Sequence, residues 1–184
     1  MSAPILAAVS SNIPRIKYAA MRSLRELSER DPEALYPDFD AIAALLRSQH
    51  SVLRWNAILI LGNLARIDSA GKIDAILDDY LGPIDGPHLI DAANTIHGAT
   101  AIAAFKPHLA DRIAGRILAV ERATYATPEC RNVAIGHAID ALARLHDMLA
   151  DQRRVELFIE RQTDNTRPAT RKKAEKFLRL AHSA

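Results

Sequence analysis

Several clusters in this chain of 184 residues hold side chains able to do chemistry. His137 and Asp140 stand three residues apart, the spacing that puts two side chains on one face of a helix. With His97 supplied by an adjacent helix, they would offer two imidazoles and a carboxylate, a facial set that suits a transition metal. A surface His–Asp hydrogen bond explains the same spacing, and no metal is expected. His88 and Asp91 repeat it just after a Gly-Pro loop, where an acidic residue favours a helix start. Cys130 is the lone cysteine. It excludes an internal disulfide and a Cys-rich zinc site, and it reads as a small buried apolar residue. No Ser-His-Asp order, Gly-rich phosphate loop or His-Glu-x-x-His string occurs, so no catalytic set and no cofactor are expected.

Two further groups suit binding. The stretch SVLRWNAILILGNLARI (51–67) holds the single Trp, flanked by Arg54 and Asn56, with Asn63 following. Trp55 either packs on a neighbouring helix or lies partly open on a wall, where a Trp anchors a partner well. Near the end, TRPATRKKAEKFLRL (166–180) places Arg171, Lys172, Lys173, Lys176 and Arg179 on one helix, with Arg153 and Arg154 ahead of it. Such a group is either a solvated outer face or a phosphate-binding patch.

Composition sets the elements that must position these residues. The net charge is +2, half the residues are hydrophobic and 5% are aromatic. Few aromatics beside abundant Ala and Leu favour close-packed helices over strands. Charge is uneven: residues 151–184 have a net charge of +4, whereas residues 68–91 hold six Asp and one Lys. That acidic band is expected to welcome a basic partner. No apolar run approaches the ~20 residues that span a bilayer. The start lacks a basic leader, so no membrane association and a cytoplasmic location are expected.

One string recurs. Pro14-Arg-Ile16-Lys17-Tyr-Ala-Ala20 is matched by Ser51-Val-Leu53-Arg54-Trp-Asn-Ala57, Pro128-Glu-Cys130-Arg131-Asn-Val-Ala134 and Pro168-Ala-Thr170-Arg171-Lys-Lys-Ala174. Pro or Ser opens a helix, and the Ala begins an apolar stripe that continues four and seven residues on. A looser copy follows Pro87; its stripe reads best as Ala92, Ile96 and Ala99, which keeps His97 out of the core. Other amphipathic segments lie between these copies, so the unit is a helical hairpin of about forty residues. Five are expected in one domain, with approximate repeats 1–30, 31–68, 69–104, 105–148 and 149–184.

These openings, with Tyr36-Pro37 and Lys106-Pro107 starting first helices, resemble HEAT repeats. The resemblance implies an all-α superhelix of the HEAT or armadillo type, without strands, whose second helices line one concave wall. It also implies that Lys17, Arg54, Arg131 and Arg171 bond to the preceding turn or a neighbouring repeat. HEAT turns usually carry an Asp there, and Asn12 and Asn165 come nearest to it. The wall then offers Arg22, Arg25, Asn56, Asn63, Asn94, Thr95, His137, Asp140 and Arg144. Function is expected to be non-enzymatic protein binding, with Trp55, Asn56, Asn63, Asn94, His137, Asp140 and Arg144 meeting a protein or peptide partner. The alternative is nucleic-acid binding through Arg171, Lys172, Lys173 and Lys176, by resemblance to HEAT-like DNA alkylation-repair glycosylases. Those need a carboxylate beside exposed Trp residues, and Asn56 and Asn63 near Trp55 are neutral.

Overall fold

The computed structural model describes residues 3–181, which form helices and turns with no strand among them. The second helices of the hairpins are long and regular: α2 (Pro14–Arg30), α5 (Ser51–Leu64), α7 (Leu89–Phe105), α9 (Pro128–Leu145) and α11 (Pro168–Ala181). The first helices are shorter: α1 (Ala3–Val9), the broken pair α3 (Pro32–Leu35) and α4 (Phe39–Ala44), α6 (Lys72–Leu81), α8 (Ala110–Leu118) and α10 (Gln152–Arg161). The break after Leu35 falls where Pro37 cannot donate a backbone hydrogen bond, and a 3₁₀ turn, Tyr36–Asp38, fills it. The chain forms two compact units, Met1–Tyr80 and Leu81–Ala184.

The apolar stripes read from the sequence are the core. Ala20, Leu24, Leu27, Ala57, Leu61, Leu64, Ala134, Ala138 and Ala141 are all buried. The third stripe falls on Ala92, Ile96 and Ala99, and His97 is exposed. In the last hairpin the stripe is covered at Ala174, half-covered at Leu178 and open at Ala181. Within the first unit α2 packs on α1 and α5, and within the second α9 packs between α7 and α11. Cys130 is half-buried, so it is not the core residue expected. It shares its repeat position with Ile16, which is exposed.

Polar side chains then tie each hairpin to its neighbour. Asp68 is buried. Its carboxylate accepts from the backbone N–H groups of Lys72 (2.9 Å) and Ile73 (2.9 Å) and from the Tyr36 hydroxyl. One carboxylate thereby caps α6 and holds it to the first helix of the preceding hairpin. Tyr80 is fully buried with its hydroxyl donating to the Ile58 carbonyl (2.9 Å); burial pushes that hydroxyl pKa well up.

The turn 82–88 is locked to the turn that precedes α9. The Thr124 N–H donates to the Asp85 carbonyl (3.2 Å), and the Tyr125 hydroxyl donates to the Ile84 carbonyl (2.6 Å). Arg116 pairs with the Asp85 carboxylate at 2.7 Å. Gly86 sits between them at φ 91°, and a Cβ there would lie 2.0 Å from the Thr124 carbonyl oxygen. Gly86→Ala therefore combines backbone strain with a backbone clash, and should destabilise the protein by about 3 kcal/mol. Gly82, where a Cβ meets nothing within 4 Å, should accept Ala with a change below about 1 kcal/mol. Urea unfolding followed by circular dichroism separates the two variants.

Candidate functional site

In two of its four copies, Arg54 and Arg171 but not Lys17 or Arg131, the recurring basic residue bonds to its own turn. Arg54 Nη1 donates to the Ser48 carbonyl (2.8 Å), and Arg171 Nη1 donates to the Asn165 carbonyl (3.2 Å). Both reach back six residues, across the turn that opens their own helix. The side chain of the same turn residue is engaged as well. The Ser48 hydroxyl accepts from the His50 N–H (3.1 Å), and the Asn165 side chain accepts from the Arg167 N–H (2.9 Å). In the first hairpin Ser11, not Asn12, makes the same bond, to the Ile13 N–H (3.1 Å). Hairpin four departs from the pattern: Thr127 caps the Cys130 N–H (3.1 Å), and Arg131 is exposed. Arg54→Met should thus lower stability by about 1.5 kcal/mol, the loss of a charge-assisted hydrogen bond. Arg131→Met should change it by less than about 0.5 kcal/mol. Thermal and urea unfolding of both variants measure the contrast.

Trp55 is half-buried, and the Arg25 guanidinium lies 5.9 Å from its ring centroid, within reach of a cation–π contact. It is neither sealed core nor an open anchor. Asn56 corrects the sequence reading. It is 3% exposed, and its Nδ2 donates to the Val52 carbonyl (2.8 Å) inside its own helix, so no partner can reach it. Asn63 is also engaged, donating to the Ser28 hydroxyl (2.9 Å) and tying α5 to α2. Thr95 is fully buried, and Asn94 is half-buried.

The acidic band of 68–91 is not an open strip. Asp68 caps α6, Asp79 pairs with Arg47, and Asp85 with Arg116. Asp91 is buried, and Asp74, Asp78 and Asp91 each have a partner. Much of the basic last helix is engaged too. Lys173 donates to the Gly136 carbonyl (3.1 Å) and pairs with Asp140 at 2.5 Å. With Arg171 bound to its turn, Lys172 and Lys176 are left exposed from the expected patch.

What the structure does gather is a groove of ≈ 210 Å³ between α7 and α9. Ala93, His97 and Thr100 line it from α7, and His137, Asp140 and Arg144 from α9. Three of the expected binding residues thus come together, joined by two that were not in that set, His97 and Thr100. Among the described residues no group of three or more His, Cys, Asp and Glu side chains can hold a metal ion. The Lys173 ammonium neutralises Asp140 and faces His137. The His137 imidazole is held below its ordinary value of 6.5, first by desolvation, then by Lys173, Arg167 and His97; Asp140 opposes them.

Comparison with known proteins places this geometry on a known architecture. The chain is similar to an engineered protein solved by the Northeast Structural Genomics Consortium, with a TM-score of 0.60 and 19% identity. That match covers 96% of this chain and 77% of the other. It is also similar to the TOG3 domain of Mini spindles from Drosophila melanogaster, with a TM-score of 0.57 and 12% identity over 96% of this chain and 79% of that one. The TOG domain is itself a HEAT-repeat solenoid.

The chain has an all-α helical-repeat fold of the solenoid class.

At these identities the likeness extends to the fold alone. No family model and no curated protein matches the chain. Among the described residues no helix is long and apolar enough to cross a membrane.

His137 gives the groove a measurable signature. Its pKa is lower folded than unfolded, so on acidification the unfolded chain takes up the proton first. This group therefore favours the fold above pH 6.5, and its contribution is lost as pH falls through 6.5 toward the folded value. The His137 imidazole should titrate with a midpoint below 6.5 in proton NMR, and His137→Gln should flatten stability between pH 7 and 5.

Proposed function

We propose that this protein is a non-enzymatic binding scaffold and that it meets a protein segment along the exposed faces of α7 and α9. One observation carries this reading. Several polar side chains near the groove are bonded to a turn or to a neighbouring hairpin, as Asn63, Lys173 and Asn132 are. His97, His137 and Arg144 form no hydrogen bond or ion pair among the described residues, yet they line one groove. A helical-repeat stack offers a long, stiff surface. Polar groups left unbonded there supply orientation and specificity. Trp55 with its stacked Arg25 is a second, half-covered anchor in the first unit.

Tagged protein, incubated with lysate of its source and treated with nuclease, should retain a discrete protein. Arg144→Glu reverses the exposed charge in the groove and should reduce that capture at least about tenfold. Stability should stay within about 0.5 kcal/mol, because the side chain is exposed and unpaired. Trp55→Ala should weaken capture less. Capture that disappears with nuclease, or that Arg144→Glu leaves intact, defeats the reading.

A further inference from the structure

The charge in the α7–α9 groove points to one class of partner. Among the described residues Asp140 is the one carboxylate lining it, and Lys173 already pairs with that group at 2.5 Å. Arg167, the other cation acting on His137, is held by Glu129 at 2.9 Å. The fixed charge left to a ligand is the Arg144 guanidinium, with the Thr100 hydroxyl and two imidazoles beside it. The Thr100 hydroxyl itself donates to the Ile96 carbonyl (2.8 Å), which turns its lone pairs, not its proton, outward. A basic ligand would meet Arg144 and Lys173 without a free carboxylate to receive it. An anion would meet one free guanidinium and two imidazoles able to become donors. The groove holds ≈ 210 Å³, room for a carboxylate side chain and not for a large ring system.

We infer that the groove takes a Glu or Asp side chain from the partner segment, and that His137 takes up a proton as the carboxylate enters. This rests on the scaffold reading and names the chemistry of its partner. The groups facing His137 are Asp140 and Arg144 from its own helix, His97 from α7, Lys173 from α11 and Arg167 from the turn before α11. In the empty groove this mostly cationic surround, with desolvation, keeps the imidazole neutral near pH 7. A carboxylate arriving beside it reverses the local balance and favours imidazolium. Binding and protonation are then linked, and each strengthens the other. The ligand carboxylate stays ionised throughout this range, its own pKa lying near 4, so the pH dependence belongs to the groove.

The experiment is isothermal titration calorimetry with a blocked ten-residue peptide of alternating Glu and Gly. It is run at pH 7.5 and pH 6.0, and at pH 7.0 in two buffers of different ionisation enthalpy. We expect binding accompanied by proton uptake, with affinity about threefold higher at pH 6.0. That is the change produced by an average uptake of about a third of a proton over 1.5 pH units. His137→Gln should retain binding at pH 7.5 and lose both the uptake and the pH dependence; Arg144→Gln should lose most of the binding at both pH values. Both positions are exposed, and unchanged urea midpoints qualify the variants as folded. Absence of binding, binding without proton uptake, or uptake that survives His137→Gln overturns the proposal. A matched Lys-Gly peptide and a single-stranded DNA 12-mer are titrated alongside. If the Lys-Gly peptide binds in the groove instead, the acidic-partner inference falls and the scaffold reading stands. Tight DNA binding that falls steeply with salt overturns both.

Discussion

A two-helix hairpin of about forty residues cannot bury its own apolar stripe. It must be covered by the hairpins on either side, so the angle at which each second helix leaves its turn decides whether the stack closes. In the second and fifth hairpins that turn is held by a clamp. A guanidinium three residues into the helix donates to the carbonyl six residues back, while a Ser or Asn side chain in the turn accepts the backbone N–H two residues on. The two bonds converge on one residue of the loop, Ser48 or Asn165. An arginine suits the task because its charge survives partial burial and its fork is rigid. Once the turn is fixed, the first apolar contact of the helix, Ala57 or Ala174, is delivered to the core with no Cβ branching to hold the neighbouring helix away.

The same constraint explains the side-chain bonds between hairpins. The Asn63–Ser28, Asn132–Thr166 and Lys173–Gly136 pairs are 34 to 37 residues apart, close to one repeat. Each joins a second helix to the neighbouring second helix or to the turn that opens it, where an unpaired polar group would carry a desolvation cost. Where the clamp is missing another device replaces it. In hairpin four Tyr125 stands in the clamp's place and reaches the Ile84 carbonyl, while Gly86 lets the two turns touch backbone to backbone. Desolvation and the Asp85 carboxylate together push the Tyr125 hydroxyl to about 12, so it stays a donor at any physiological pH.

Much of this was legible in the sequence because repetition averages out accident. The Ala anchors, the second-helix starts at Pro14, Ser51, Pro128 and Pro168, and the slipped stripe at Ala92 all follow from periodic apolar positions. What was not legible depends on side-chain reach. Asn56 reads as a surface residue by type, but it is buried and folds its amide back on the Val52 carbonyl. Nothing in the spacing shows that Asp68 accepts two backbone amides, because its third partner, Tyr36, is 32 residues away. The acidic band and the basic helix looked like open patches because composition counts charges without pairing them. Arg47, Arg116, Gly136 and Asp140 engage several of those charges. His97 was visible as a histidine kept out of the core, but its place opposite His137 needed the packing of α7 on α9.

That groove follows from the repeat and is also a departure from it. Three residues beyond the anchoring Ala, the other second helices carry Ser23, Ile60, Thr95 and Phe177; Ile60 and Thr95 are fully buried, Phe177 is half-buried and Ser23 is exposed. At His137 the same place is exposed, because α7 presents Ala93 there and α9 itself contributes Ala141. Two methyl groups stand where larger side chains would have closed the gap. An imidazole is then left at a half-desolvated edge, with an ammonium on one side and water on the other. Its proton affinity is lowered first by desolvation and then by Lys173, the residue that ties α11 to α9. Lys173, which secures the last hairpin, is therefore also one of the groups that hold the His137 pKa down, and this couples the stability of the stack to the chemistry of its surface.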